Sequence, residues 1–450
     1  MMEVLTRNKW IAFGAAAIVS ICIAIAASRP ALQTFIENAG VNIPTGDVLV
    51  DYATGMGWAF VLLLSILVWP VPSAHKRMLV SAWILKCFVA LAVMLPYEER
   101  YYGLDCWTYF QQAHASLVEL VPGLGRGGSE VVVGLGALHL VIGPDSYHAM
   151  KLSFAMFGLV AVYLLYRSAE LMVGQFAPLF FWGLTLYPSV LFWSSILGKD
   201  PVILAGIALH VWGLVNVVVR GRNGYLVAVL AGIGAVSAIR IWMGPILILP
   251  CLLILGARIK HIVWRSTAVI LVGLALLSLA PLTADRLELD KASDLFEATK
   301  NVSRGWDRAN SSMQMDGAPE SLWDLILFTP ESMFIAYFRP LPGDVPNLFG
   351  WFAGFENLAL LAVSIWALLR VRLSYFRHHL FLWGLALLLT WGLAYSVLSY
   401  KDLGSAARYK LQILPILLGM IGFLIRQPSM SRLDRLAGRA GDLSLREVFR

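Results

Sequence analysis

Apolar stretches of about 16 to 22 residues follow one another along almost the whole chain. Each is long enough, as a helix with some tilt, to cross a hydrocarbon core of about 30 Å. One pair is ambiguous, because Arg240 and Met243-Gly244-Pro245 interrupt a continuous run that is either two short spans or one broken helix. The pattern predicts an all-α polytopic membrane protein with about 12 transmembrane helices near residues 10–27, 54–70, 78–95, 149–166, 175–193, 202–219, 225–241, 243–257, 266–283, 351–369, 380–398 and 409–425.

Composition and charge favour a bilayer as the solvent. Hydrophobic residues make up 59% of the 450 positions and charged residues 14%, whereas soluble domains carry about 25% charged residues. The net charge of +7 is spread over short connections, which argues against a nucleic-acid partner. Twelve spans place these basic connections on one side, predicted to be cytoplasmic together with both termini: Arg7/Lys9, Lys76/Arg77, Arg167, Arg220/Arg222, Arg258/Lys260/Arg265, Arg370/Arg372/Arg377 and the tail after Arg426.

The two sides of the predicted bundle differ in the length of their connections. Residues 96–148 and 284–350 form long outer loops, well beyond the roughly 12–15 residues above which structureless loops are uncommon, so we expect them to be ordered and functional. The chain then divides into an N-terminal helix pair, a transmembrane core that includes the first loop, the second loop, C-terminal helices and a basic tail on the inner leaflet: 1–77, 78–283, 284–350, 351–426 and 427–450.

Charged and aromatic residues gather at the outer ends of the predicted spans. A carboxylate beside several cations suits transfer from a lipid phosphate donor, because cations neutralise the phosphate and the carboxylate accepts the proton of an attacking hydroxyl. Taken singly, such a cation snorkels to headgroups and such an aromatic belongs to the interfacial belt. The candidates are Asp105 as catalytic base and, for substrate binding, Lys199, Asp200, Arg240, Arg339, Arg408, Trp107 and Tyr109, with Trp193 and Trp242 as further aromatics.

Other polar residues are not candidates for catalysis or metal binding. Lys86 falls inside the third predicted span, where pairing with Glu170 or Glu356 would hold the bundle together. Cysteines and histidines are scattered and show no metal-ligand spacing, so the sequence predicts no metal site.

Four segments carry a family resemblance: Leu104–Tyr109 after a span, Leu140–Ser146, Tyr187–Ser195 with Lys199-Asp200 after it, and Phe338-Arg339-Pro340. Over roughly residues 78–345 the chain resembles the GT-C membrane glycosyltransferases, in particular the protein-mannosyltransferase-like and bacterial polysaccharide-cluster types. The resemblance implies a GT-C fold that takes sugars from polyprenyl-phosphate donors at the outer face of a bacterial inner membrane, in cell-surface glycan assembly.

The same resemblance implies that a carboxylate of the first large outer loop is the base, and Asp105 occupies that position. This chain departs from the family pattern in two ways. Two spans precede the core, and the acidic pair often found is reduced to Asp105, with Glu98 and Glu99 upstream. The departure leaves the base assignment and a divalent metal cofactor open.

Other functions remain as alternatives. A polysaccharide polymerase or ligase, of O-antigen type, would use polyprenyl-pyrophosphate-linked glycans and depend on arginines more than on an acidic base. A lipid-linked sugar flippase would show paired broken helices, of which the chain has one candidate, near Met243-Gly244-Pro245. A non-catalytic assembly subunit is the last alternative. The expected partners are a polyprenyl-phosphate-linked sugar donor, a glycan or lipid acceptor and the lipid bilayer.

Overall fold

A computed structural model of the chain describes residues 30, 33–34, 46–100, 105–115, 127–258, 322–399 and 403–426. The predicted spans 10–27 and 266–283 and the basic tail 427–450 lie outside the described residues. Within them the chain is helical and contains no strand. The helices are α1 (Val48–Val68), α2 (Ser73–Phe88), α3 (Met94–Arg100), α4 (Asp105–Ala115), α5 (Ser129–Ile142), α6 (Tyr147–Val173), α7 (Pro178–Thr185), α8 (Pro188–Trp193), α9 (Lys199–Arg220), α10 (Leu226–Ile239), α11 (Met243–Arg258), α12 (Leu322–Phe338), α13 (Leu348–Leu368), α14 (His379–Ser399), α15 (Leu403–Tyr409) and α16 (Leu414–Arg426).

The apolar helices confirm a helical membrane protein but support fewer spans than twelve. In the described part of the chain, six helical segments are long and apolar enough to cross a membrane, or seven if the bent pair α15 and α16 counts as one span. The stretch 175–193 is not one span, because Pro188 begins a new short helix after α7. The ambiguous pair around Arg240 is two separate helices, α10 and α11, which are shorter than the six.

Local sequence signals set several helix ends. The carboxylate of Asp47 accepts hydrogen bonds from the first backbone N–H groups of α1, and the hydroxyl of Ser146 does the same for α6. These groups satisfy N–H donors that a helix start leaves unpaired. At the other ends, Gly174 and Gly221 have φ values of 70° and 69°, a left-handed conformation that glycine adopts without strain.

The helices differ in how much of their surface faces the protein. Of the most apolar window of each helix, 72% is buried in α9 and 67% in α6, against 17% in α1 and 28% in α13. The helices α6 and α9 therefore form the centre of the bundle, and α1 and α13 present apolar side chains outward. Close approach of α9 to α10 depends on glycines, because a Cβ on Gly206 would lie 2.6 Å from Val236.

The segment after α12 turns inside the bundle. The backbone carbonyl of Arg339 accepts a hydrogen bond from Lys410 at 3.2 Å, and that of Pro340 accepts one from Asn357, near the middle of α13, at 2.8 Å. The chain then runs back along the first half of α13, where Gly354 lies against Pro342. These hydrogen bonds satisfy backbone groups that have no helical partner, as buried irregular backbone requires.

Candidate functional site

Five of the six charged candidates meet at one end of the bundle, although they come from four separate parts of the chain. We call this end the site end, and we define the charge cluster as Asp105 at the start of α4, Lys199 and Asp200 at the start of α9, Arg240 after α10, and Arg408 in α15. Helix ends bring these side chains together, because α9 and α10 are antiparallel neighbours and Arg408 of α15 reaches the start of α9.

Asp200 is the buried anion of the charge cluster. Its side chain is 1% exposed and accepts a hydrogen bond from Arg408 Nε at 2.5 Å. Arg240 Nη2 lies 3.9 Å from its other oxygen. The carboxylate also sits in the first turn of α9, where the helix dipole favours negative charge. Asp200 therefore holds two arginines in place and has no free face for a substrate.

Asp105 is the exposed anion. Its side chain is 62% exposed and its carboxylate lies 3.6 Å from Arg408 Nη1. Arg408 thus bridges a buried carboxylate and an open one, using different nitrogens of the same guanidinium. Of the two aspartates, only Asp105 is open to a reacting group from outside the protein.

Aromatic rings fix the remaining arginine. Arg240 is 7% exposed at its side chain, and its guanidinium lies 4.1 Å from the ring centre of Tyr409, a cation–π contact. Arg240 also donates to the hydroxyl of Tyr395 at 3.3 Å, to which Trp242 donates at 3.2 Å. Tyr395 and Tyr409 were absent from the sequence candidates; the adjacency of Tyr409 to Arg408 was the available signal.

Lys199 completes the charge cluster. It is half-buried at the first residue of α9, and among the described residues it forms no ion pair within 4.0 Å. With three cations and two anions the charge cluster carries a formal charge of +1. The N-terminal end of α9 adds partial positive charge at the same point. The arrangement therefore suits an anionic ligand.

The other three predicted site residues are not members of the charge cluster, although Trp107 and Tyr109 belong to the same helix as Asp105. Arg339 pairs with Asp344 through two hydrogen bonds of 2.7 and 2.5 Å, so its guanidinium is not part of the charge cluster. The ring of Trp107 packs on Tyr147, with centroids 5.3 Å apart. Tyr109 is buried, and burial raises the pKa of its hydroxyl to about 12. The Tyr109 ring is therefore not open to stacking on a sugar, and Trp107 is half-buried with its ring edge-on to Tyr147.

A second polar network lies beside the charge cluster and was not found from the sequence. Glu98 pairs with Lys151 at 2.8 Å and accepts a hydrogen bond from Tyr147 at 3.1 Å. Asp51 pairs with His148, the residue after Tyr147. Tyr147, the residue against which Trp107 packs, joins this network to α4 and so supports the helix that begins with Asp105.

The prediction that Lys86 pairs with Glu170 or Glu356 is wrong. Its ammonium donates to the backbone carbonyl of Ser194 at 3.1 Å and to the Ser194 and Ser195 hydroxyls at 2.5 and 3.3 Å. Glu170 binds Arg167 instead, and Glu356 accepts from the backbone of the α7–α8 region. Lys86 therefore fixes the bend that leads into Lys199 and Asp200.

Neither a metal site nor a similarity to known proteins identifies the function of the charge cluster. Among the described residues no three His, Cys, Asp or Glu side chains are placed to hold a metal ion. No protein-family model, no curated protein and no solved structure matches the chain.

Proposed function

We propose that the protein is a membrane glycosyltransferase. It transfers a sugar from a polyprenyl-phosphate-linked donor to a glycan or lipid acceptor at the outer face of the cytoplasmic membrane, in the assembly of a cell-surface glycan. The observation that carries the proposal is the meeting of one exposed carboxylate, Asp105, with three cations around a buried carboxylate.

In this proposal each residue of the charge cluster has a role. The acceptor hydroxyl oxygen attacks the anomeric carbon of the sugar, its proton passes to Asp105, and the bond between that carbon and the donor phosphate oxygen breaks with its electron pair staying on the phosphate. Arg408, Arg240 and Lys199 stabilise the negative charge of the departing phosphate. Asp200 positions both arginines. The resemblance to GT-C enzymes at Asp105 supports the same assignment.

The proposal includes an orientation. Arg167 and Arg220 lie towards the far ends of α6 and α9 from the site end, and Arg370 follows α13 there as well. This is the distribution that the positive-inside rule gives for a cytoplasmic face. We therefore assign the site end to the outer side of the inner membrane, with both termini cytoplasmic.

Sugar transfer by the purified full-length protein in nanodiscs tests the proposal. The protein is offered a panel of radiolabelled polyprenyl-phosphate sugars with a mixture of membrane lipid and glycan acceptors. Wild type is compared with Asp105→Asn and Arg408→Gln, and Arg370→Gln at the other end serves as the matched control. Transfer should fall about 10²–10⁴-fold in Asp105→Asn and remain normal in the control. Equal transfer by all four proteins would contradict the proposal.

One observation favours a second candidate, a polysaccharide polymerase or ligase. The charge cluster exposes a single carboxylate but holds three cations, which suits an enzyme that depends mainly on binding pyrophosphate. Such an enzyme keeps its activity in Asp105→Asn and loses it in Arg240→Gln or Arg408→Gln. If no donor is consumed, a flipping assay on the same preparation tests the transporter.

A further inference from the structure

A cavity opens at the end of the bundle opposite the charge cluster. It has a volume of about 120 Å³ and lies between α6 and α9, where Tyr163, Arg167, Trp212, Asn216 and Arg220 form most of its wall. Asn216 is 17 residues after Lys199, which is roughly 25 Å along a helix. The cavity is thus separate from the proposed active site, and a ligand bound in it would be independent of the proposed function.

The polar lining of the cavity is cationic and incomplete. Arg167 and Arg220 are its charged residues, and no carboxylate of the described part of the chain lines it. Arg167 gives one donor to Glu170, which leaves further guanidinium N–H groups available. Helix C-termini and the membrane interface both favour arginine, so the two cations alone would not indicate a ligand.

Asn216 supplies the independent observation. Its residue is 1% exposed, and its side-chain nitrogen donates to the backbone carbonyl of Trp212 at 2.8 Å. Its side-chain oxygen accepts no hydrogen bond from any described residue. An unpaired buried acceptor is costly, and this one belongs to a residue that lines the cavity beside the two arginines.

We propose that this cavity binds the headgroup of an anionic glycerophospholipid that carries a free hydroxyl, as in phosphatidylglycerol. The phosphate lies between Arg167 and Arg220, and the headgroup hydroxyl donates to Asn216 Oδ1. Leu164 and Leu171 of the wall and the adjoining bilayer accept the apolar part. A soluble glycerol phosphate shares the phosphate and hydroxyl chemistry; the apolar wall and the position at a helix end favour the lipid.

Lipid binding by the full-length protein in mild detergent tests the assignment. Native mass spectrometry with added phosphatidylglycerol should show one lipid retained by wild type, with phosphatidylcholine retained at least about tenfold more weakly. Asn216→Leu and Arg167→Gln should each weaken phosphatidylglycerol retention about tenfold or more, and Arg370→Gln, at the same end of the bundle, should not. Equal retention of the two lipids, or equal retention by wild type and both cavity variants, overturns the proposal.

Two further arms keep the test decisive. If the cavity variants do not fold, a photoactivatable phosphatidylglycerol added to wild type should label residues 163–171 or 212–220, and labelling confined to other segments overturns the assignment. Soluble glycerol phosphate is added as competitor to the wild-type protein. Displacement of the lipid at matched concentration would assign the site to a solute and overturn the lipid proposal, whereas an unchanged signal supports it.

Discussion

Asp105→Asn and Asp200→Asn make the same chemical change in two carboxylates that share Arg408, and we expect opposite outcomes. The Asp200 side chain is 1% exposed and lies between two arginines. Removing its charge leaves Arg240 and Arg408 without their buried partner, and breaking a buried pair in this way costs about 3–5 kcal/mol. The unfolding equilibrium constant should therefore rise between about one hundredfold and a few thousandfold.

The ion pair between Asp105 and Arg408 contributes less to stability. Because that side chain is 62% exposed and 3.6 Å from Arg408, solvent screens the interaction, and exposed pairs are worth about 0–1 kcal/mol. The free energy of unfolding of Asp105→Asn should lie within about 1 kcal/mol of the wild-type value, while its sugar transfer is lost. The main effect of Asp200→Asn should instead be a loss of stability.

Denaturant unfolding in detergent, followed by tryptophan fluorescence, measures both variants beside wild type, and transfer is assayed on the same preparations. The double variant Asp200→Asn with Arg408→Gln provides the control, because removing both charges should recover part of the stability that the single Asp200→Asn change loses. The reasoning would be refuted by equal stability loss in the two aspartate variants, or by an Asp200→Asn protein as stable as wild type.

Three further predictions concern packing, pH and charge geometry. Gly158→Ala places a Cβ 2.0 Å from the backbone carbonyl oxygen of Ser194, in the bend before α9, and should lower the free energy of unfolding by about 1–3 kcal/mol. The control Gly183→Ala, whose Cβ would have no atom within 4 Å, should leave stability unchanged. Equal midpoints of denaturant unfolding for the two variants would contradict this. Hydrogen bonds from Arg339 hold the pKa of Asp344 below its ordinary value of 3.8, so its contribution to stability is full at neutral pH and is lost progressively as pH falls from about 4 through the lowered pKa. The difference in thermal midpoint between wild type and Asp344→Asn should therefore shrink below about pH 4, and a difference that stays constant from pH 7 to about 2 would argue against the pair. Arg408→Lys cannot reach two carboxylates with separate nitrogens, so transfer should fall at least about tenfold, and wild-type kinetics would exclude the bridging role.

Much of the fold and part of the charge cluster could be predicted because both depend on where apolar stretches end. Asp105, Arg240 and Arg408 were grouped on one side by the alternation of basic connections, and the structure brings them together. Span length was harder to predict, since hydrophobicity alone does not show that Tyr187-Pro188 divides one stretch into two short helices.

The division of roles within the charge cluster could not be predicted. Asp105 and Asp200 are both carboxylates at helix starts, and only packing makes one exposed and the other buried. Arg339 met the same sequence criteria as Arg408, but its partner Asp344 is five residues away in a turn, a local pairing that removes it from the site. Lys86 was expected beside a carboxylate, and instead two serines and a carbonyl bind it.

Three consecutive residues after α14 face three different parts of the protein. Arg408 binds the start of α9, Tyr409 covers the guanidinium of Arg240, and Lys410 holds the carbonyl of Arg339. Adding or deleting one residue here would rotate the side chains beyond it by about 100° on a helix, which would disconnect at least one partner. The length of this stretch is therefore more constrained than its composition, so a tag or reporter inserted here should abolish activity even when a substitution at Tyr409 is tolerated.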